Sequence, residues 1–184
     1  MLVVVSGYQR EFRAVMVGLD NAGKSTLVQR FNGESLKLCL SRFPNVEQVV
    51  LSRACTLKVY DIPGHAQCRR LWRDYYCEEL DAVIFVVDAS DRTRFDEARE
   101  ELHKILETEV LRDMPVLVIG NKIDVANASS LEELELALDL KGKTTGKDLV
   151  LTKKRPLELF MVSAVTLQNS DQTKKWLEYQ IQGF

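Results

Sequence analysis

The sequence predicts an α/β fold built on a mostly parallel, twisted sheet, and three observations predict it. Two nearly continuous apolar runs, AVIFVVD (Ala82–Asp88) and PVLVIG (115–120), have the pattern of parallel strands buried on both faces. Strand patterns alternate with helical ones along the chain, which implies right-handed crossover connections. A glycine-rich stretch, GLDNAGKST (18–26), joins the first strand pattern to the first helical one. A chain of 184 residues suits one domain over 1–184 with a sizeable core.

The elements follow in order. Residues 11–17 read as a strand, and the helix after the glycine-rich stretch is short, with Gly33 placed to end it. Residues 34–45 contain Pro44 and no periodicity, which predicts a loop. VEQVVLS (46–52) and CTLKVY (55–60) predict two strands joined by a tight turn at 52–54. The second runs into DIPGH (61–65), and LWRDYYCEEL (71–80) predicts a helix beyond it. After the strand at 82–88, Phe95, Ala98, Leu102 and Ile105 fall at helical spacing with charged residues between them. They predict a long amphipathic helix that ends before Pro115. SSLEELELAL (129–138) predicts a helix with a serine cap, and PLELFMVSA (156–164) and DQTKKWLEYQI (171–181) complete the series as strand and helix. Between them KGKTTGKDLVLTKKR (141–155) reads as a basic solvated loop or small hairpin.

Composition excludes several classes. A formal net charge of −2 argues against a nucleic-acid-binding surface. Cys39, Cys55, Cys68 and Cys77 form no C-x-x-C pair and lie near no His at ligand spacing, so reduced, mostly buried thiols are expected. No apolar run has the length of a transmembrane helix. The opening MLVVVSGYQREF has no basic segment of the kind that begins a signal peptide, and neither end carries a lipidation signal. Membrane contact would need another device.

The chemistry starts at residues 18–25. GLDNAGKS matches G-x-x-x-x-G-K-[ST] in full, directly after a strand and opening a helix. Gly18 and Gly23 let the backbone of Asp20, Asn21, Ala22, Gly23, Lys24, Ser25 and Thr26 curl into a nest of N–H groups around phosphates. The helix N-terminus adds partial positive charge. Lys24 can reach the β- and γ-phosphates, and the Ser25 hydroxyl can ligate Mg²⁺. A glycine turn that matches by chance would not need both flanking elements.

The base is indicated by VIGNKID (118–124). The Asp124 carboxylate can accept from guanine N1–H and its exocyclic amine, a donor pair that adenine lacks. Asn121 would tie this loop to the phosphate loop, and the Lys122 stem would cover the base. The backbone of Ser163 and Ala164, in VSAV (162–165), would close on the base oxygen. Asp61 ends a strand expected beside the phosphate-loop strand, where its carboxylate can hold Mg²⁺ through water. Gly64 offers an N–H toward a γ-phosphate. His65 stands where an attacking water would need a partner; a surface histidine is the weaker reading.

GLDNAGKST, DIPGH, RRLWRDYY, AVIFVVDASDR and GNKID together resemble the ARF superfamily of small GTPases. Within it the His after Asp-x-x-Gly, AQCRRLW, the GKTTGK insertion and RPLELFMVSA are similar to the secretion-associated Ras-like branch that initiates COPII coats. The resemblance, from about Phe12 to Trp176, implies a P-loop small GTPase fold with six strands, and GTP or GDP with Mg²⁺ as ligands. It also implies His65 in place of the glutamine that usually orients water. A membrane-bound exchange factor, an activating protein and vesicle-coat subunits are implied as partners. The expected location is cytoplasmic, peripheral to endoplasmic reticulum or Golgi membranes.

Three departures stand out. The family carries Gly where Pro63 stands. Its switch I threonine, a Mg²⁺ ligand, maps to Ser41 when anchored on Pro44 and to Arg42 when counted unbroken from the phosphate loop. About ten residues precede the first strand, too few for the family's N-terminal amphipathic helix. No arginine finger is evident in the chain, so one in trans is expected. Rival readings are a nucleotide-dependent scaffold with little hydrolysis, and an ARF-like GTPase of organelle transport. A P-loop kinase is a third, which leaves Asn121 and Asp124 unexplained.

Overall fold

The computed structural model describes residues 10–35, 43–77, 79–148 and 154–183. Its elements are β1 (Arg10–Val17), α1 (Lys24–Phe31), β2 (Asn45–Val50), β3 (Cys55–Asp61), a 3-10 helix (Ala66–Tyr75), β4 (Ala82–Asp88), α2 (Phe95–Leu106), β5 (Val116–Asn121), α3 (Leu131–Ala137), β6 (Leu157–Met161) and α4 (Ser170–Gln182). The strands form one six-stranded sheet in the order β2-β3-β1-β4-β5-β6. Among the described residues only β2 runs antiparallel, as the hairpin partner of β3.

Alternation along each strand sends side chains to two helical layers. From β1, Ala14 and Met16 meet Leu27 and Phe31 of α1 and Trp176 and Leu177 of α4. Val15 and Val17 face the opposite layer with Phe85, Leu102 and Ile105. The strands read as continuous apolar runs because both faces are covered. All five parallel strands therefore end on one edge, and the loops after them converge there, as ligand-binding loops do in open α/β sheets.

The ends of the elements obey local chemistry. Gly33 leaves α1 with φ +74°, and its N–H donates to the Arg30 carbonyl at 3.0 Å. The Arg155 guanidinium donates to the carbonyls of Leu106, Leu111 and Met114 at 2.9, 2.6 and 3.1 Å. It thereby satisfies acceptors at the end of α2 and in the turn beyond. Residues 141–148 of the basic insertion cover part of the β6 edge. Thr145 N donates to Leu157 O at 2.8 Å, Gly146 N donates to Glu158 Oε2 at 2.8 Å, and Trp176 Nε1 donates to Gly146 O at 3.2 Å. A sheet edge that would otherwise invite pairing is closed. Residues 149–153 lie outside the described residues.

Two expectations need correction. The helix expected at 71–80 is instead a 3-10 helix that starts earlier, at Ala66, and ends at Tyr75. The segment is tethered tightly: Trp72 Nε1 donates to Pro63 O at 3.1 Å, and the indole packs edge-on against Phe85. Tighter winding keeps this short segment within reach of its anchor. The thiols are not mostly buried either. Cys55 is buried, Cys68 half-buried and Cys77 exposed, all unpaired, while Cys39 lies outside the described residues.

Helix α3 begins with a capping box: Glu133 N donates to Ser130 Oγ at 3.2 Å, and Ser130 N donates to Glu133 Oε2 at 2.8 Å. Ser130→Ala is expected to lower unfolding stability by about 1 kcal/mol in urea denaturation. An unchanged midpoint would show that the box contributes nothing.

Candidate nucleotide site

The loop between β1 and α1 is shaped by two glycines. Gly18 has φ +137°, and a Cβ there would stand 2.1 Å from the Val86 carbonyl oxygen. Gly23 has φ +88°, and a Cβ there would stand 2.4 Å from Asn121 Nδ2. No other residue fits either place. The chain turns at Asn21, whose φ is +62°, and enters α1 at Lys24 with no side-chain cap on its N-terminus. That combination of curled amides and helix end is suited to an anion.

Lys24 is only 6 % exposed, and its Nζ donates to the carbonyls of Gly18 and Leu19, each at 3.0 Å. Burial lowers its pKa to about 8, although the Asp61 and Asp20 carboxylates pull it upward. Asp61 lies opposite Met16 at the end of β3, and the Ser25 hydroxyl donates to its Oδ2 at 2.5 Å. A hydroxyl and a carboxylate are hard oxygen donors, and Mg²⁺ takes few protein ligands when phosphate oxygens complete its shell. The pair fits that ion. Among the described residues no cluster of three or more His, Cys, Asp or Glu offers a caged metal site instead. Ser41 and Arg42, the alternative switch I ligands, lie outside the described residues.

The base loop is locked to the phosphate loop. Asn121, 1 % exposed, donates from Nδ2 to the Ala22 carbonyl at 2.9 Å and accepts from the Ala164 N–H at 3.1 Å. The Ala164 amide, expected to reach a base oxygen, is thus engaged by Asn121. The Ser163 hydroxyl donates to Asp124 Oδ1 at 2.6 Å and orients that carboxylate. Lys122, with φ +67°, pairs through Nζ with Asp88 Oδ2 at 2.6 Å. Burial would raise the Asp88 pKa, but the bonds from Lys122 and Ser90 prevail and hold it below the ordinary range.

The DIPGH segment presses against the phosphate loop. A Cβ at Gly64 would stand 2.3 Å from Asp20 N and from Gly18 O, so only glycine allows this approach. Thr26 is half-buried in the first turn of α1. The His65 side chain is 60 % exposed, and its Nδ1 lies 3.8 Å from Asp20 Oδ2.

Several residues here have no counterpart among the sequence expectations: Asp88, Arg69, Arg94 and Glu97. Arg94 Nη2 donates to Asp20 Oδ1 at 2.9 Å, and Glu97 bridges Arg94 and Arg69. The Arg94–Glu97 pair sits at i, i+3 spacing, a local signal of contact. Nothing local joins either residue to Asp20.

Comparison with known proteins agrees with this geometry. The chain matches the model of the ADP-ribosylation factor family over residues 1–181. It is 32 % identical over 173 residues to the small COPII coat GTPase SAR1 of Giardia intestinalis, spanning 92 % of this chain and 90 % of that protein. It is 40 % identical over 137 residues to ADP-ribosylation factor-like protein 2 of Dictyostelium discoideum, spanning 74 % of each. Its fold is similar to the structure of the Arl6 BBS3 small GTPase from Trypanosoma brucei with the bound nucleotide analogue GppNp. There the TM-score is 0.80 and the identity 29 %, over 94 % of this chain and 98 % of that one.

Two predictions follow from the site's electrostatics. A phosphate favours charged Lys24, so GDP binding takes up a proton once the pH exceeds about 8. GDP affinity is therefore expected to fall as pH rises through that value, and Lys24→Arg, charged throughout, should show a flatter profile by titration calorimetry. Equal slopes for both proteins would contradict the role given to Lys24. Asp124→Asn should lose GDP affinity and gain xanthosine diphosphate affinity, because the donor–acceptor pattern at that edge is reversed. Unchanged base preference in competition binding would remove Asp124 from the base site.

Proposed function

We propose, from the premise that this chain belongs to the ADP-ribosylation factor family and is a GTP hydrolase that binds GTP and GDP with Mg²⁺, that it switches vesicle-coat assembly on and off. The site of action is the cytoplasmic face of endoplasmic reticulum or Golgi membranes. The observation that carries this reading is the histidine at position 65, set directly after Gly64 and against the phosphate loop. The similarity to the coat GTPase SAR1 over most of both chains supports it.

Each residue has a task in that reading. Amides of 20–26 and Lys24 hold the phosphates, while Asn121, Lys122 and Asp124 hold guanine. Ser25 and Asp61 would hold Mg²⁺, which would supply charge neutralisation on the phosphate oxygens. The Gly64 N–H would donate to the γ-phosphate. Asp20 Oδ2 lies 3.8 Å from His65 Nδ1. A neutral imidazole nitrogen of His65 would accept a proton of the attacking water, which displaces GDP and yields inorganic phosphate. Arg69 and Arg94 are both engaged by Glu97, so neither is poised as a finger in cis. Intrinsic turnover is expected at about 10⁻⁴ to 10⁻³ per second, to be raised by an activating protein in trans. An exchange factor resets the switch, and coat subunits read the GTP form.

A second reading is an ARF-like GTPase of organelle transport, favoured by the 40 % identity to ADP-ribosylation factor-like protein 2. Pull-down of purified COPII coat subunits by the GTP-analogue form separates the two. Capture in that form and not in the GDP form is expected; no capture in either would favour the second reading. His65→Gly should keep GTP affinity and slow single-turnover hydrolysis by about a hundredfold. Hydrolysis at the parent rate, with and without an activating protein, would return His65 to the class of surface histidines.

A further inference from the structure

We propose that Glu97 of α2 is a positioning residue for GTP hydrolysis, fixing the phosphate loop and the Gly64–His65 peptide to one rigid helix. The proposal rests on the reading of His65 as the residue that orients water. A continuous chain of charge-assisted bonds carries it. Arg94 donates from Nη1 to the Asp20 carbonyl at 3.2 Å and from Nη2 to Asp20 Oδ1 at 2.9 Å. Its Nε donates to Glu97 Oε2 at 2.7 Å. The other oxygen of the same carboxylate, Oε1, accepts from Arg69 Nη2 at 2.6 Å. Arg69 in turn donates from Nε to the Gly64 carbonyl at 2.9 Å, and Glu101 Oε1 lies 3.5 Å from its Nη1.

The consequence is geometric. The Gly64 carbonyl and the His65 N–H belong to one planar peptide, so a bond to that oxygen fixes the plane from which the imidazole projects. Arg69 is held for this bond by Glu97 and Glu101, one turn apart on α2. That helix cannot yield, because Phe95, Ala98, Leu102 and Ile105 are buried in the core beside β4. Asp20 belongs to the loop that holds phosphate and also faces His65 Nδ1. One helix therefore references both the substrate's phosphates and the residue beside the water. Isolated exposed pairs contribute little to stability. Here the Arg69 side chain is only 11 % exposed and both carboxylate oxygens of Glu97 are used, so the chain's value lies in placement.

Single-turnover GTP hydrolysis, GTP-analogue affinity and melting temperature are measured for Glu97→Gln, Arg69→Met, the double variant and His65→Gly. Glu97→Gln is expected to slow hydrolysis about ten- to a hundredfold, the penalty of a small misplacement, with affinity within about threefold of the parent. The double variant should be no slower than the slower single, because both substitutions break one chain. Adding Glu97→Gln to His65→Gly should cost several-fold less than it costs the parent, since only the Arg94–Asp20 branch remains to be lost. Losses that multiply, or parent-rate hydrolysis with a lowered melting temperature, would reduce Glu97 to a structural staple and overturn the proposal. Slow His65→Gly beside parent-like Glu97→Gln overturns this proposal alone, whereas parent-like His65→Gly overturns it together with the reading of His65.

Discussion

The Asn121 side chain holds the site together. It spans three loops that are far apart in sequence, donating to the Ala22 carbonyl after β1 and accepting from the Ala164 amide after β6, while itself ending β5. At 1 % exposure, neither of its polar ends has water as an alternative partner, so losing one contact would strand a buried group. Gly23 is required by the same contact, since any Cβ there would strike the Asn121 amide. The phosphate pocket and the base pocket thus have a fixed separation. A nucleotide must match that separation, which is how a site made of loops becomes selective.

A second set of contacts governs the segment that must respond to the γ-phosphate. Pro63 fixes its own φ, and its carbonyl accepts from Trp72, whose indole is wedged against Phe85 of β4. Gly64 lies against the phosphate loop, and the 3-10 helix carries Arg69 back toward it. The family's glycine at position 63 would leave that backbone freer. In this chain the segment is held from both sides of Gly64, by the core through Trp72 and by α2 through Arg69. A γ-phosphate would act on a segment with a defined starting position, as ordering switches require.

Much of this was legible in the sequence because it is local. Phosphate-loop glycines, the strand–loop–helix context, the N-K-x-D turn and the serine cap at Ser130 each declare themselves within a few residues. The parallel sheet was legible because burial on both faces leaves unbroken apolar runs. The 3-10 helix at Ala66–Tyr75 was not, since its winding is set by Trp72 reaching back to Pro63 rather than by propensity. Nor was the contact of the Ala164 amide with Asn121, which joins residues 43 apart. The Asp20–Arg94 contact joins residues 74 apart, and no periodicity encodes such a pairing.

Guanine selectivity is the property on which the switch depends, and it is measured most directly by competition of GTP and ATP for the unmodified protein in Mg²⁺. With Asp124 oriented by Ser163 and the pocket spaced by Asn121, GTP is expected to bind tighter than ATP by about 10⁴-fold or more, because adenine offers no donor pair to the Asp124 carboxylate. Equal affinities for the two nucleotides would contradict the assignment of this site.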